Sequence, residues 1–296
     1  MQEFVLRPTL EASETWERIV VGIRRLPTLP SVVFELQRVI QNVRSSAMEV
    51  GRIISSDQVL TTRVLRLVNS AYHGLPRQVH SVTEAVTLLG LEQVKSMALA
   101  LSVHDMFATG RYADGLDRAQ LWRHSLAVAN CARLVAKEAA LKDPEQAFTA
   151  GLLHDVGKVV FDQYAHAQFI EALQASAGGM PLHQAEAIVL GAPHTRVGQM
   201  VLSRWKLPEF IPYTAMHHHS PGGSSEHLPV CACVTVGNAV AKWAGYALPT
   251  DKVVPRLSKR IMQMVNMSQE KAGAIAERLD EGMAESADFL QALQGK

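Results

Sequence analysis

Residues 143–160 read DPEQAFTAGLLHDVGKVV. The stretch opens as a helix start, with Asp143 as N-cap, Pro144 at the first helical position and Gln146 three residues after the cap. An apolar run follows, and Gly157 reads as the helix end. Neighbouring side chains diverge by about 100° around a helix, so His154 and Asp155 reach one ion together only near such an end. The pair is therefore expected at a C-terminal helix tip, exposed to a cleft, with Lys158 as a cation beside an anion site.

Outward from this stretch, the histidines form a constellation: His124 upstream, His194 and the pair His218 and His219 downstream. Histidine with carboxylate is the ligand chemistry of Zn, Fe, Mn and Ni, and such ions activate water against phosphate esters. His124 falls in the preceding helical stretch, which a short connection around Leu141 to Asp143 would bring antiparallel to the next helix. His194 sits in the first turn of a helix opened by Pro193, and His218 with His219 closes another before Ser220 and Pro221. Plainer readings stand beside this one. His104 and Asp105 form a second pair with no such company, and His73, His80, His166, His183 and His227 read as surface or satisfied core residues. The tract His217 to His219 also suits a solvated helix C-terminus.

Helical periodicity runs through the chain, as in Val32, Val33, Leu36, Val39, Ile40 and Val43, or Leu121, Leu126, Val128, Leu134 and Val135. Ser46 to Glu49 and Ser81 to Glu84 read as capping boxes, and Gly191 and residues 221–225 as stops or turns. No alternating run implies a sheet, so the fold class expected is all-α, of many short helices. The chain has 296 residues, of which 48% are apolar, enough for a sizeable core. Twenty-nine basic against 28 acidic residues give a formal charge of +1, without the basic footprint of a DNA-binding protein. No apolar stretch approaches the ~18 residues of a membrane span, so a soluble, cytoplasmic protein is expected. Cys131, Cys231 and Cys233 read as small buried apolar residues.

Four stretches together, LWRHSLAVANCARLVA (121–136), AFTAGLLHDVGKVV (147–160), HTRVGQMVLSRWKLP (194–208) and AMHHHSP (215–221), strongly resemble the HD superfamily of metal-dependent phosphohydrolases. Upstream, LPTLPSVVFELQRVI (26–40), IISSDQVLTTRVLRLVNSAYHG (53–74) and SVTEAVTLLGLEQVKSMAL (81–99) look like the HDOD domain, a bacterial signalling relative. The resemblance implies an HDOD domain over 16–246, with an N-terminal helical bundle (16–107) joined through ATGRYADG (108–115) to an HD-like helical subdomain (116–246). Residues 247–296 would be C-terminal helices packing on it. It also implies metal ligands at His124, His154, Asp155, His194, His218 and His219. Lys158 matches a lysine that lies near the substrate phosphate in the HD-GYP phosphodiesterases that cleave cyclic-di-GMP. The departure falls in VTVGNAVAKW (234–243), where Asn238 replaces the aspartate that completes the first metal site. An amide oxygen coordinates without adding charge. The GYP segment is absent after His219, where SPGGSSEH stands.

Two functions are therefore expected. One is a signalling module with a degenerate HD-type metal pocket, acting through protein or small-ligand binding, with partners among two-component or cyclic-dinucleotide pathway proteins. The other is a metal-dependent phosphohydrolase of nucleotide or cyclic-dinucleotide type, with Asp155 bridging two ions and Lys158 stabilising charge on the phosphoryl group. The divalent metal would be Fe, Mn, Zn or Ni. The apolar helices around 88–101 read as core, with a docking face as the alternative, and Arg63 and Arg66 as the solvated side of their helix.

Overall fold

The structure, a computed structural model, describes residues 10–26, 31–40, 46–69, 77–107 and 115–285. All regular elements among them are helical, beside one isolated antiparallel bridge between Leu248 and Asp251. The expected boundary at 108–114, His73, and the side chains of His104 and Asp105 lie outside the described residues.

The first half holds α1 (Leu10–Arg25), α2 (Ser31–Ile40), α3 (Ala47–Ser55), α4 (Gln58–Val68), α5 (Val82–Leu89) and α6 (Leu91–Phe107). The capping residues act as their chemistry requires, because a helix N-terminus leaves donors unpaired. Ser46 Oγ accepts from Glu49 N–H at 3.2 Å, and Ser81 Oγ from Glu84 N–H at 3.1 Å. The reciprocal half of the second box shifts by one residue, since the Glu84 carboxylate takes the N–H of His80 at 3.1 Å. Val94, Met97, Ala98, Leu99 and Leu101 are buried, so the stripe on α6 is core. Arg66 is exposed as expected, but Arg63 is only 8% exposed. It lies in line with Leu60 and Leu67 on the buried side of α4, and the packing of that helix among α3, α5 and α6 rather than local polarity sets its burial.

The second half holds α7 (Arg118–Glu138), α8 (Pro144–Leu153), α9 (Val156–Tyr164), α10 (His166–Ala177), α11 (Leu182–Val189), α12 (His194–Arg204), α13 (Phe210–His217) and α14 (Leu228–Ala241). A π-helical turn (Lys242–Tyr246), α15 (Lys259–Met264) and α16 (Gln269–Glu285) follow. The axis is α7, packed between α8 and α14 and covered further by α16. Its small side chains Ala127, Ala129, Cys131 and Ala132 are fully buried. They permit close approach: a Cβ added at Gly237 of α14 would stand 2.7 Å from Ala132 N. A helix apolar on most of its circumference belongs in a core, and α7 occupies that place. Both halves share one continuous apolar core from Ile19 to Met283. The α1 helix packs on α9, and α6 on α8, where the hydroxyls of Ser96 and Thr149 hydrogen-bond at 2.7 Å. At the start of α7, Arg118 donates to Asp162 Oδ2 of α9 through Nε at 3.0 Å and Nη2 at 2.7 Å.

The helix that starts at Pro144 ends at Leu153 and not at Gly157. His154 is its C-cap, Asp155 (φ −102°, ψ 9°) breaks the chain direction, and α9 runs on through Gly157. Glycine is needed there for packing instead of termination. A Cβ at 157 would collide with the His194 carbonyl oxygen and stand 2.9 Å from Gly198 N, so α9 and α12 meet backbone to backbone. None of the helices among the described residues is long and apolar enough to cross a membrane. The cysteines are free and buried, and burial pushes their thiols up to about 12.

Gly157→Ala is expected to destabilise the fold by about 1–3 kcal/mol, the usual cost of forcing a methyl into a packed contact. Urea unfolding would register this as a lower midpoint, and an unchanged midpoint would mean that α9 and α12 separate freely. All three thiols should resist Ellman's reagent in the native protein and react on unfolding; prompt native labelling would contradict their burial.

Candidate metal centre

Four helix segments deliver the constellation. His124 comes from the interior of α7, His154 and Asp155 from the α8–α9 junction, His194 from the first residue of α12, and His218 and His219 from the end of α13. The structure brings all six together around the Asp155 carboxylate. Its Oδ2 lies 3.3 Å from His154 Nε2 and 3.6 Å from His124 Nε2. Its Oδ1 lies 3.1 Å from His194 Nε2 and 3.7 Å from His218 Nε2. His219 Nε2 is 3.2 Å from His194 Nε2. The donor atoms thus fall into two sets suited to cations, His124–His154–Asp155 and His194–His218–His219, with one carboxylate oxygen toward each.

The pair is not exposed to a cleft as expected from a helix tip: His154 is 0% and Asp155 2% exposed. Because the junction is a sharp break between two packed helices, it points both side chains inward. His219 alone among the six is half-buried.

Backbone and carboxylate acceptors fix the ring orientations. The Nδ1 atoms of His154, His124 and His218 donate to the carbonyls of Gly151 (2.6 Å), Tyr246 (2.8 Å) and Ala215 (3.0 Å). A carbonyl only accepts, so each ring carries its proton on Nδ1 and presents the Nε2 lone pair inward, the tautomer a cation requires. Those three Nε2 atoms are buried and have no hydrogen-bond partner, and neither has Asn238 Oδ1, buried on α14. An unpaired buried polar atom costs about 1–3 kcal/mol, so the three histidine Nε2 atoms converging on one carboxylate are the chemistry of a site completed by a cation. The residues fit a divalent transition metal.

Electrostatics separate the rings. Burial, only partly offset by Asp155, lowers His124 to about 3 and keeps it neutral. His218 and His219 are pushed well down, first by burial and then by neighbouring histidines. At His194 burial also opposes charge, but the Glu186 carboxylate outweighs it and raises the ring to about 9. Binding a cation there must release that proton. Burial would raise Asp155, yet the Lys158 ammonium 2.7 Å away outweighs it and holds the carboxyl well below the usual carboxylate range.

Several supporting contacts lie outside what the sequence reading anticipated. Fully buried Glu186 accepts from His194 Nδ1 at 2.6 Å and from its N–H at 2.7 Å, fixing the ring at the start of α12. A carboxylate inside the apolar run AEAIVLGA was the available clue. Lys158, expected to face an anion site, is 1% exposed and donates to Asp155 Oδ2 at 2.7 Å and Asp251 Oδ2 at 3.0 Å. His183 is not an isolated surface ring: it stacks on His219 with centroids 4.3 Å apart, at the margin of the centre. His166 is accounted for by Asp162, 3.0 Å away, and His80 is exposed.

Comparison with known proteins agrees with this architecture. The chain is similar to an HDOD domain protein of unknown function from Geobacter sulfurreducens, with 27% identity, 96% of this chain and 98% of that one covered, and a TM-score of 0.78. A Shewanella amazonensis protein named as a candidate phosphohydrolase shares the fold at 24% identity and a TM-score of 0.73, over 93% of this chain and 98% of that one. An uncharacterized protein of Treponema pallidum (strain Nichols) is 28% identical over 86% of this chain, which spans about half, 53%, of that relative's length. The HDOD domain pattern matches residues 26–221, about two thirds of the sequence, and the chain belongs to the HDOD domain family.

Proposed function

We propose that this chain is a regulatory module of bacterial signal transduction whose HD-type pocket holds a divalent transition metal, Fe, Mn, Zn or Ni. The observation that carries the reading is the buried Asp155 carboxylate, with one oxygen toward each histidine set. The unpartnered Nε2 atoms of His124, His154 and His218 favour a bound cation over a purely structural cluster. Two features favour holding an ion over turnover. The Lys158 ammonium is committed to two carboxylates, which removes it as a partner for an incoming phosphate. Asn238 offers a neutral oxygen where catalytic HD proteins carry an aspartate, which lowers the charge available to the metal. Proteins of two-component or cyclic-dinucleotide pathways are the partners this reading implies. Near-neutral net charge argues against DNA as the target.

A metal-dependent phosphohydrolase is the second reading, favoured by the two-sided use of Asp155. Bound ions would supply activated water and neutralise phosphoryl charge. The chain's own part would be to hold Asp155 between the two histidine sets and to keep the Nε2 atoms of His124, His154 and His218 unprotonated.

Protein purified without a His-tag or chelator is expected to carry near-stoichiometric Fe, Mn or Zn by elemental analysis, and to lose it in His154→Ala and Asp155→Asn. It should leave nucleotides, cyclic dinucleotides and generic phosphodiesters intact with Mn²⁺ or Fe²⁺ present. Folded protein that is metal-free and cannot be loaded would overturn the proposal. Metal-dependent hydrolysis abolished by Asp155→Asn would replace it with the second reading.

A further inference from the structure

The polypeptide from Lys242 to Val253 lies beyond the family match at 26–221, yet it supplies contacts that support the metal centre. The carbonyl of Tyr246 accepts from His124 Nδ1 at 2.8 Å. Asp251 Oδ2 accepts from Lys158 Nζ at 3.0 Å, and Asp251 Oδ1 pairs with Lys242 Nζ at 2.8 Å. Lys242 Nζ also donates to the carbonyl of Val253 at 3.3 Å. Asp251 is 3% exposed and Lys242 6%, so both charges are out of water and need partners.

Asp155, Lys158, Asp251 and Lys242 therefore form a buried line of alternating charge that sums to zero. Lys158 sits on Asp155 Oδ2 at 2.7 Å, the same oxygen that faces His154 and His124. A cation binding to that set shares this oxygen with the ammonium and is repelled by its charge. Lysine ends in a compact charge with three donors on a flexible stem, so it can transfer between acceptors that are both in reach. Asp251 is the second acceptor, and Lys242 on its far oxygen partly neutralises it.

We propose that Asp251 is a positioning residue of the metal centre: it draws the Lys158 ammonium away from Asp155 Oδ2 so that this oxygen ligates a divalent cation, and Lys242 moderates that pull. The inference rests on the metal-centre reading above. It gives the segment after α14 a part in setting how tightly the centre holds its ion.

The test is titration of Mn²⁺ into the demetallated full chain, with free Mn²⁺ followed by electron paramagnetic resonance and folding checked by circular dichroism. Asp251→Asn keeps the shape and removes the charge, which leaves Lys158 to Asp155 alone. It is expected to weaken Mn²⁺ binding about tenfold or more, in the range seen for outer-shell replacements at metal sites. Lys242→Gln frees Asp251 to attract Lys158 and is expected to tighten binding. A merely structural role would weaken both. Equal affinity in Asp251→Asn, or equal or weaker affinity in Lys242→Gln, would overturn the assignment; if Asp251→Asn does not fold, the direction in Lys242→Gln decides alone. Wild-type protein that takes up no Mn²⁺ would overturn the metal-centre reading itself and this assignment with it, whereas tight wild-type binding with unaltered variants removes only the role of Asp251.

Discussion

A carboxylate that is 2% exposed stays ionised only if surrounding groups replace the water it has lost, and Asp155 depends on partners from across the fold. Lys158 of α9 and the protonated His194 of α12 supply the donors, whereas the unprotonated Nε2 atoms of His124, His154 and His218 face the same carboxylate from α7, the adjoining cap and α13. Desolvating such a charge costs several kcal/mol, and removing one partner leaves the rest uncompensated. The centre thus ties together helices whose apolar faces alone would not fix their relative rotation. The converse also holds: the close backbone contact at Gly157 sets how near Asp155 comes to the start of α12.

Much of this was legible because local chemistry and global fold agree at particular positions. Asp143, Ser46 and Ser81 announce helix starts that side-chain oxygens then cap, and the spaced histidines reach one place. The sequence was misleading where one residue type serves two purposes. Gly157 looks like a helix stop, but its missing Cβ admits the His194 carbonyl, so the true break falls two residues earlier, at Asp155. Arg63 looks solvated until the helices packed around α4 bury it. Backbone acceptors such as the carbonyls of Gly151 and Tyr246 leave no mark in a sequence, although they decide which nitrogen of His154 and His124 is free. Glu186, Asp251 and His183 were missed for a related reason: each reaches the centre only through tertiary packing, from a helix or loop whose local pattern is ordinary.

The supporting contacts also extend past the family's own limits. Residues 26–221 contain all six histidine and aspartate donors, but Lys242, Tyr246 and Asp251 lie downstream. Groups that support the donor set thus lie outside the stretch that the family pattern matches. The first half of the chain meets the helix that His154 caps, where the Ser96 hydroxyl of α6 bonds Thr149. A partner that moved the downstream segment would act on Tyr246 and Asp251, each separated from Asp155 by a single residue, His124 or Lys158.

The most direct measurement is anomalous X-ray diffraction at the manganese edge from crystals of the full chain grown with Mn²⁺. Anomalous density is expected within bonding reach of Asp155 and the inward Nε2 atoms. Density confined to surface carboxylates, or a centre that excludes the ion while Lys158 stays on Asp155, would contradict it.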